Sequence, residues 1–217
     1  MSFRYPPAHR GDTVDTYHGH EVADPYRWLE DPDSPETKAF VDAQNAITMP
    51  YLEGLPHRAG LVARMTELWD IPRTDPPSWR GEGDDRVEVW TRNDGLSDQP
   101  IFWIRRGEGE EATEPEILLD PNTMSDDGAV AVVTWALSDD GKLLGYTVSE
   151  AGSDRQRLAI RSTETGRDLD DRLEHLRFTS IAWFGSGFFY TRWPETDPGS
   201  TAPVRDPSIY YHRVGDT

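Results

Sequence analysis

The hydrophobic positions of this chain change their period once. Between residues 34 and 69 they recur every three or four positions, and after Ile71-Pro72 they alternate. In the first stretch Phe40, Ala43, Ile47 and Tyr51 fall on one face, as a helix requires. Ser34 can accept from the first free amides, Pro35 tolerates the first helical position and Glu36 suits the positive end, so a helix is expected to begin there. Pro50 is expected to limit or kink it, and Gly54-Leu55-Pro56 to end it. A second helix, about His57 to Trp69, aligns Leu61, Met65, Leu68 and Trp69. Both helices are amphipathic and need a surface to pack on. The Pro-rich residues 1–33 predict irregular structure.

Beyond Pro72 the period is two. Strands are expected at Val87–Thr91, Ile101–Ile104, Ile117–Leu119, Ala131–Leu137, Leu143–Ser149, Arg157–Ser162, Phe178–Trp183, Phe188–Arg192 and Ile209–Arg213. Ser125-Asp126-Asp127-Gly128 recurs thirteen positions later as Ser138-Asp139-Asp140-Gly141. Gly takes positive φ freely and Asp bonds back to the turn backbone, so both read as consecutive turns of one antiparallel unit, the building block of a propeller blade. At roughly 45 residues per four-stranded blade, residues 72–217 hold about three blades, fewer than the four to eight that close a ring. The expected fold class is therefore mainly β: a partial β-propeller of two to three blades, preceded by an α-helical arm.

Composition agrees with that picture. Thirty-five percent hydrophobic residues, with 8 Trp, 8 Tyr, 7 Phe, 18 Gly and 17 Pro, suit a turn-rich β protein better than a bundle or a disordered chain. The net charge of −18 excludes nucleic acid as a partner, because a phosphate backbone would be repelled. Lys38 and Lys142 are the only lysines; this arginine bias fits either base composition or adaptation to salt. With no cysteine, disulfides and thiolate metal sites are excluded. The N-terminus lacks an apolar leader and no run reaches membrane-spanning length, so a soluble cytoplasmic protein with no membrane partner is expected.

Candidate chemistry is sparse. His18 and His20 would share a face of an extended segment, but no third metal ligand lies nearby and packing accounts for them better. Asp120, Asn122, Asp126 and Asp127 lack calcium-loop spacing and read as turn formers, and the acidic run from Gly107 to Glu116 reads as a solvated hairpin tip. Trp28, Trp69, Trp135 and Trp183 read as core anchors. Gly185-Ser186-Gly187 has the wrong spacing for a nucleophile elbow and suits a hairpin turn. No metal and no cofactor is expected.

Several motifs together resemble one family. Tyr17-His-Gly-His20, Asp24-Pro-Tyr-Arg-Trp-Leu-Glu-Asp-Pro-Asp33, Thr37-Lys-Ala-Phe-Val-Asp-Ala-Gln-Asn45 and Arg64-Met-Thr-Glu-Leu68 resemble the prolyl oligopeptidase N-terminus. Leu119-Asp-Pro-Asn122, Ser125–Gly128, Gly152-Ser-Asp154, Ala182-Trp183 and Tyr210-Tyr-His212 resemble its first propeller blades, in order and over essentially the whole chain. The resemblance implies a serine peptidase that cuts short peptides after proline, with an α/β-hydrolase domain carrying the Ser-Asp-His triad and a seven-bladed propeller covering its entrance. It implies that residues 1–71 are a helical arm packing on the hydrolase domain, and that 72–217 are two blades plus the start of a third. The hydrolase domain lies outside these 217 residues, so this stretch alone is expected to be inactive, with no residue matching the triad. It also implies that Phe178, shortly before Ala182-Trp183, lines the substrate pocket upstream of the proline; on pattern alone Phe178 is an ordinary blade-core residue. The rival expectation is a non-catalytic partial propeller that binds a protein or peptide through its open strand edges.

Overall fold

The computed structural model describes residues 4–194 and 206–216. They divide into two compact units, one ending at Met65 and the other starting at Thr66.

In the first unit, β1 (Val14–Tyr17) and β2 (His20–Ala23) form a hairpin across a two-residue turn, with Tyr17 opposite His20. Irregular structure was expected here. His18 and Gly19 both adopt positive φ, 52° and 84°, the backbone that a tight hairpin turn demands. Arg27, in a short 3₁₀ turn (Arg27–Glu30), pairs with Asp15 of β1 and with Asp24 at 2.6 Å, tying hairpin to turn. The helix α1 (Pro35–Glu53) starts as expected: the Ser34 hydroxyl accepts from the Thr37 amide at 3.1 Å. Pro50 does not end it, since the helix runs on to Glu53 and the Gly54 amide closes onto the Pro50 carbonyl at 3.0 Å. A proline so near the C-terminus forfeits one bond, leaving the last turn able to form. Trp28 meets Phe40 edge-on at 5.6 Å and donates its indole N–H to the His9 carbonyl at 2.9 Å.

The second helix, α2 (Arg58–Trp69), spans the boundary between the units. Its whole apolar stripe is exposed, and Trp69 is 66% accessible, with the Arg73 guanidinium over its ring at 5.1 Å. Trp69 is thus no core anchor among the described residues; Trp135 and Trp183 are.

The second unit is a series of three antiparallel sheets. The first contains β3 (Arg73–Thr74), β4 (Ser78–Arg80), β5 (Val87–Asn93), β6 (Ile101–Arg106) and β7 (Glu116–Leu119), with β3 and β4 both pairing β5. The second runs in order through β8 (Val130–Leu137), β9 (Leu143–Glu150), β10 (Arg155–Ser162) and β11 (Asp168–Arg177). The third consists of β12 (Ala182–Phe184), β13 (Gly187–Arg192) and β14 (Ser208–Arg213). The second Asp-Asp-Gly turn closes the β8–β9 hairpin, whereas the first lies in the crossing from β7 to β8, between sheets. Turn chemistry reverses the chain but does not choose the strand it returns to.

Two seams hold the series together. Val89, Phe102, Ile104 and Leu119 of the first sheet meet Leu137, Leu144, Tyr146 and Val148 of the second in one buried cluster. Leu158, Ile160 and Leu176 of the second meet Phe188 and Tyr190 of the third in another. Each fully buried Leu or Phe contributes about 1.5–3 kcal/mol. The strands β4, β8 and β12 lie alongside one another in turn. Polar groups cross the seams as well: Arg161 donates to the Leu118 carbonyl at 2.8 Å, and buried Asp171 receives His212 Nε2 and the Gly215 amide, both at 2.7 Å.

Candidate functional site

The segment expected as a strand from Phe178 is a connector. The strand β11 stops at Arg177 and β12 starts only at Ala182. Phe178 has φ of 44°, a left-handed conformation that breaks strand geometry and costs a residue with a Cβ about 1–2 kcal/mol. Its neighbours are the anchors. Arg177 pairs with Asp154 of the β9–β10 loop at 3.5 Å. The buried Thr179 hydroxyl accepts from the Thr191 amide of β13 at 3.0 Å, and Ile181 enters the seam between the second and third sheets. With both flanks pinned inward, the Phe178 ring turns outward and is 65% exposed. A blade-core role for it is ruled out.

The exposed ring stands edge-on to Trp193 at 6.4 Å, just past the end of β13. Trp193 also borders a shallow pocket of about 340 Å³ with Arg192, Pro194, Asp206, Ser208 and Tyr210. Arg192, Ser208 and Tyr210 share a face of the third sheet with Tyr190 and Phe188 through the pairs Arg192–Ser208 and Tyr190–Tyr210. Nothing local in the sequence announces Trp193 as a neighbour of Phe178. The register of β13 on β14 and the left-handed turn at Phe178 bring these groups together.

The other candidates resolve into structure. His18 sits in the β1–β2 turn and His20 in β2. Asp120 accepts from the Asn122 amide and Asp127 from the Ala129 amide, each at 3.0 Å, as turn formers do. The bond from Ala129, with help from the Ser125 hydroxyl, holds Asp127 below the usual carboxylate range. Gly185 and Ser186 form the β12–β13 hairpin turn. Tyr146 donates to Asp168 at 2.9 Å; burial first, and then that carboxylate, push its hydroxyl up to about 12, which makes it a poor proton donor or acceptor at neutral pH. Among the described residues the histidine side chains that form hydrogen bonds reach carboxylates, His9 to Glu36 and His212 to Asp171, and none is poised against a hydroxyl.

Successive antiparallel sheets packed face to face, with one strand of each side by side, define a β-propeller protein. The chain belongs to the prolyl oligopeptidase family, whose N-terminal β-propeller domain matches residues 6–217. It is 31% identical to a prolyl endopeptidase of Elizabethkingia miricola over 99% of this chain and 30% of that protein. It is 35% identical to the prolyl oligopeptidase ophP of Omphalotus olearius over 98% of this chain and 32% of that protein. Among solved structures, a prolyl endopeptidase superimposes with a TM-score of 0.80 at 32% identity, over 98% of this chain and 31% of that one. Prolyl oligopeptidase B of Galerina marginata, bound to a macrocyclization substrate, gives a TM-score of 0.75 at 27% identity, over 98% of this chain and 32% of that one. The chain spans about 30% of the length of the curated relatives it matches. No helix of the described residues is long and apolar enough to cross a membrane.

Proposed function

We propose that this chain is the gating portion of a proline-specific serine peptidase that hydrolyses short peptides on the carboxyl side of proline. Residues 1–71 serve as a helical arm that packs on an α/β-hydrolase domain, and residues 72–217 build the first blades of the propeller over its entrance. The propeller excludes large folded proteins, and Phe178 touches the peptide upstream of the proline while the hydrolase domain performs acyl transfer through its serine and oxyanion hole. The protein works in the cytoplasm, and this stretch by itself is inactive. The observation that carries this reading is the family match across residues 6–217. The exposed apolar stripe of α2 and the outward ring of Phe178 suit it: one needs a covering surface, the other a ligand.

Two measurements test it together. The intact mass of the native gene product from its source cells should be far above 24.6 kDa. That product should turn over a proline-linked chromogenic peptide in a manner blocked by serine-directed inhibitors, and the 217-residue stretch should not. A stable native species of 24.6 kDa without turnover would defeat the proposal, as would inhibitor-sensitive turnover by the short stretch.

A further inference from the structure

We propose that Asp127-Gly128 is a modification site, where the Gly128 amide nitrogen attacks the Asp127 side-chain carboxyl and the turn ages to isoaspartate. The chain has two other Asp-Gly pairs, Asp94-Gly95 and Asp140-Gly141. In all three the residue after the aspartate lacks a Cβ, so backbone and carboxyl can approach closely. What separates them is how firmly the attacking nitrogen is held.

The two Ser-Asp-Asp-Gly turns differ in little else. Asp127 and Asp140 both fold back past the glycine, accepting from the Ala129 amide at 3.0 Å and the Lys142 amide at 3.1 Å. In the second turn Gly141 is buried, its amide donates to the Ser138 carbonyl at 2.9 Å, and the paired strands β8 and β9 clamp it on both sides. In the first turn Gly128 is only partly buried, and its amide makes no hydrogen bond of ordinary geometry among the described residues. No strand adjoins that turn on its N-terminal side, since β7 ends at Leu119. At the third pair the buried Gly95 amide donates to Asn93 Oδ1 at 2.8 Å. Ionisation does not rank the sites. Bonds from Ser97 hold Asp94 below the usual carboxylate range, bonds from Ala129 and Ser125 do so for Asp127, and at Asp140 burial pulls upward but bonds from Ser138 and Lys142 outweigh it.

The step is intramolecular and balances with water alone. The nitrogen bonds to Cγ, a carboxyl oxygen leaves as water with two protons, one of them from the amide, and a cyclic imide remains. One water then opens the imide. Attack at Cγ restores aspartate; attack at the main-chain carbonyl breaks its bond to nitrogen and leaves the chain running through the side chain, one methylene longer. That extra length falls where the Gly128 carbonyl accepts from Gln99 and the Ser125 hydroxyl from the Val130 amide, each at 3.4 Å, beside the first seam that buries Val130.

The experiment ages the native gene product at physiological temperature, folded or in concentrated urea. Isoaspartyl linkages are then mapped by electron-transfer mass spectrometry and by an isoaspartyl-specific carboxyl methyltransferase. In the folded protein Asp127 should convert about three- to tenfold faster than Asp94 or Asp140, the factor set by the one amide bond the others must first break. In urea the three rates should converge. Asp127→Glu, which keeps the carboxylate but lengthens the arm beyond ready imide closure, should remove methyl acceptance from the peptide holding this turn. Equal or faster conversion at Asp94 or Asp140 in the folded protein would overturn the inference. So would a ranking that persists in urea, which would assign it to flanking sequence, or methyl acceptance that survives Asp127→Glu.

Discussion

Gly187 opens β13, and its backbone conformation is one that any residue could adopt. The neighbourhood is what forbids a side chain. A Cβ there would stand 2.0 Å from the His212 carbonyl oxygen and 2.9 Å from the Arg213 Cα, both backbone atoms of the paired strand β14. To reach ordinary contact the strand must retreat by about 1.4 Å, from 2.0 to 3.4 Å. It is not free to do so. The His212 ring is fixed on Asp171 at 2.7 Å, and the Val214 amide on the Ser186 carbonyl at 3.0 Å. Gly187→Ala therefore costs overpacking strain plus one or two ladder bonds, about 3 kcal/mol. Two residues earlier, Gly185 has φ of 59° but its Cβ would meet only the Tyr211 hydroxyl at 3.9 Å. Gly185→Ala carries the left-handed penalty, partly offset by a stiffer unfolded chain, and should cost about 1 kcal/mol. Thermal unfolding of the native gene product, followed by tryptophan fluorescence, separates the two. A larger loss at Gly185 than at Gly187 would refute the assignment of this hairpin's tolerance to inter-strand clearance.

Two further predictions follow from buried acid–base groups. Burial alone would raise Glu88, but bonds from Arg105 and from Arg86 (2.6 Å) outweigh it and hold its carboxyl below the ordinary range. The ionised form thus stabilises the fold above that range, and the benefit fades as pH falls through the lowered value. Glu88→Gln should cost about 2–3 kcal/mol at pH 7, and urea titrations should show the gap to wild type closing below about pH 4; a gap independent of pH would sink the idea. Tyr146, pushed up to about 12 first by burial and then by Asp168, behaves in the opposite sense. Its contribution is complete below about pH 10 and lost as pH rises toward 12. Tyr146→Phe should cost about 1–3 kcal/mol at neutral pH and flatten the alkaline limb of the stability curve, and an unchanged limb would contradict this.

The parts of the fold legible in the sequence were those whose signals are local. The Ser34 cap, the alternation through Val89 and Ile104, and the Asp140-Gly141 turn each declare themselves within a few residues. The strand β11 did not. Its leucines, Leu169, Leu173 and Leu176, are spaced four and three apart, which suits a helix better than a strand. The structure explains the spacing: His175 takes φ of 59° and the pairing slips by one residue between Leu173 and Leu176. This bulge lets both leucines face the same seam. The β1–β2 hairpin was hidden in the same way, since His18-Gly19 resembles neither Asn-Gly nor Asp-Gly. The site was legible only by resemblance. Phe178 reads as another hydrophobic strand residue until its positive φ is known, and Trp193 joins it through strand register alone.

The outer face of the third sheet carries Phe184, Phe189 and Tyr211 in a continuous row, with centroids 6.1 and 5.0 Å apart and all three rings open to solvent. During synthesis such a row is a growth front. A locally paired sheet that condenses on the one before it buries one face and leaves the other as a fresh adhesive surface until something covers it.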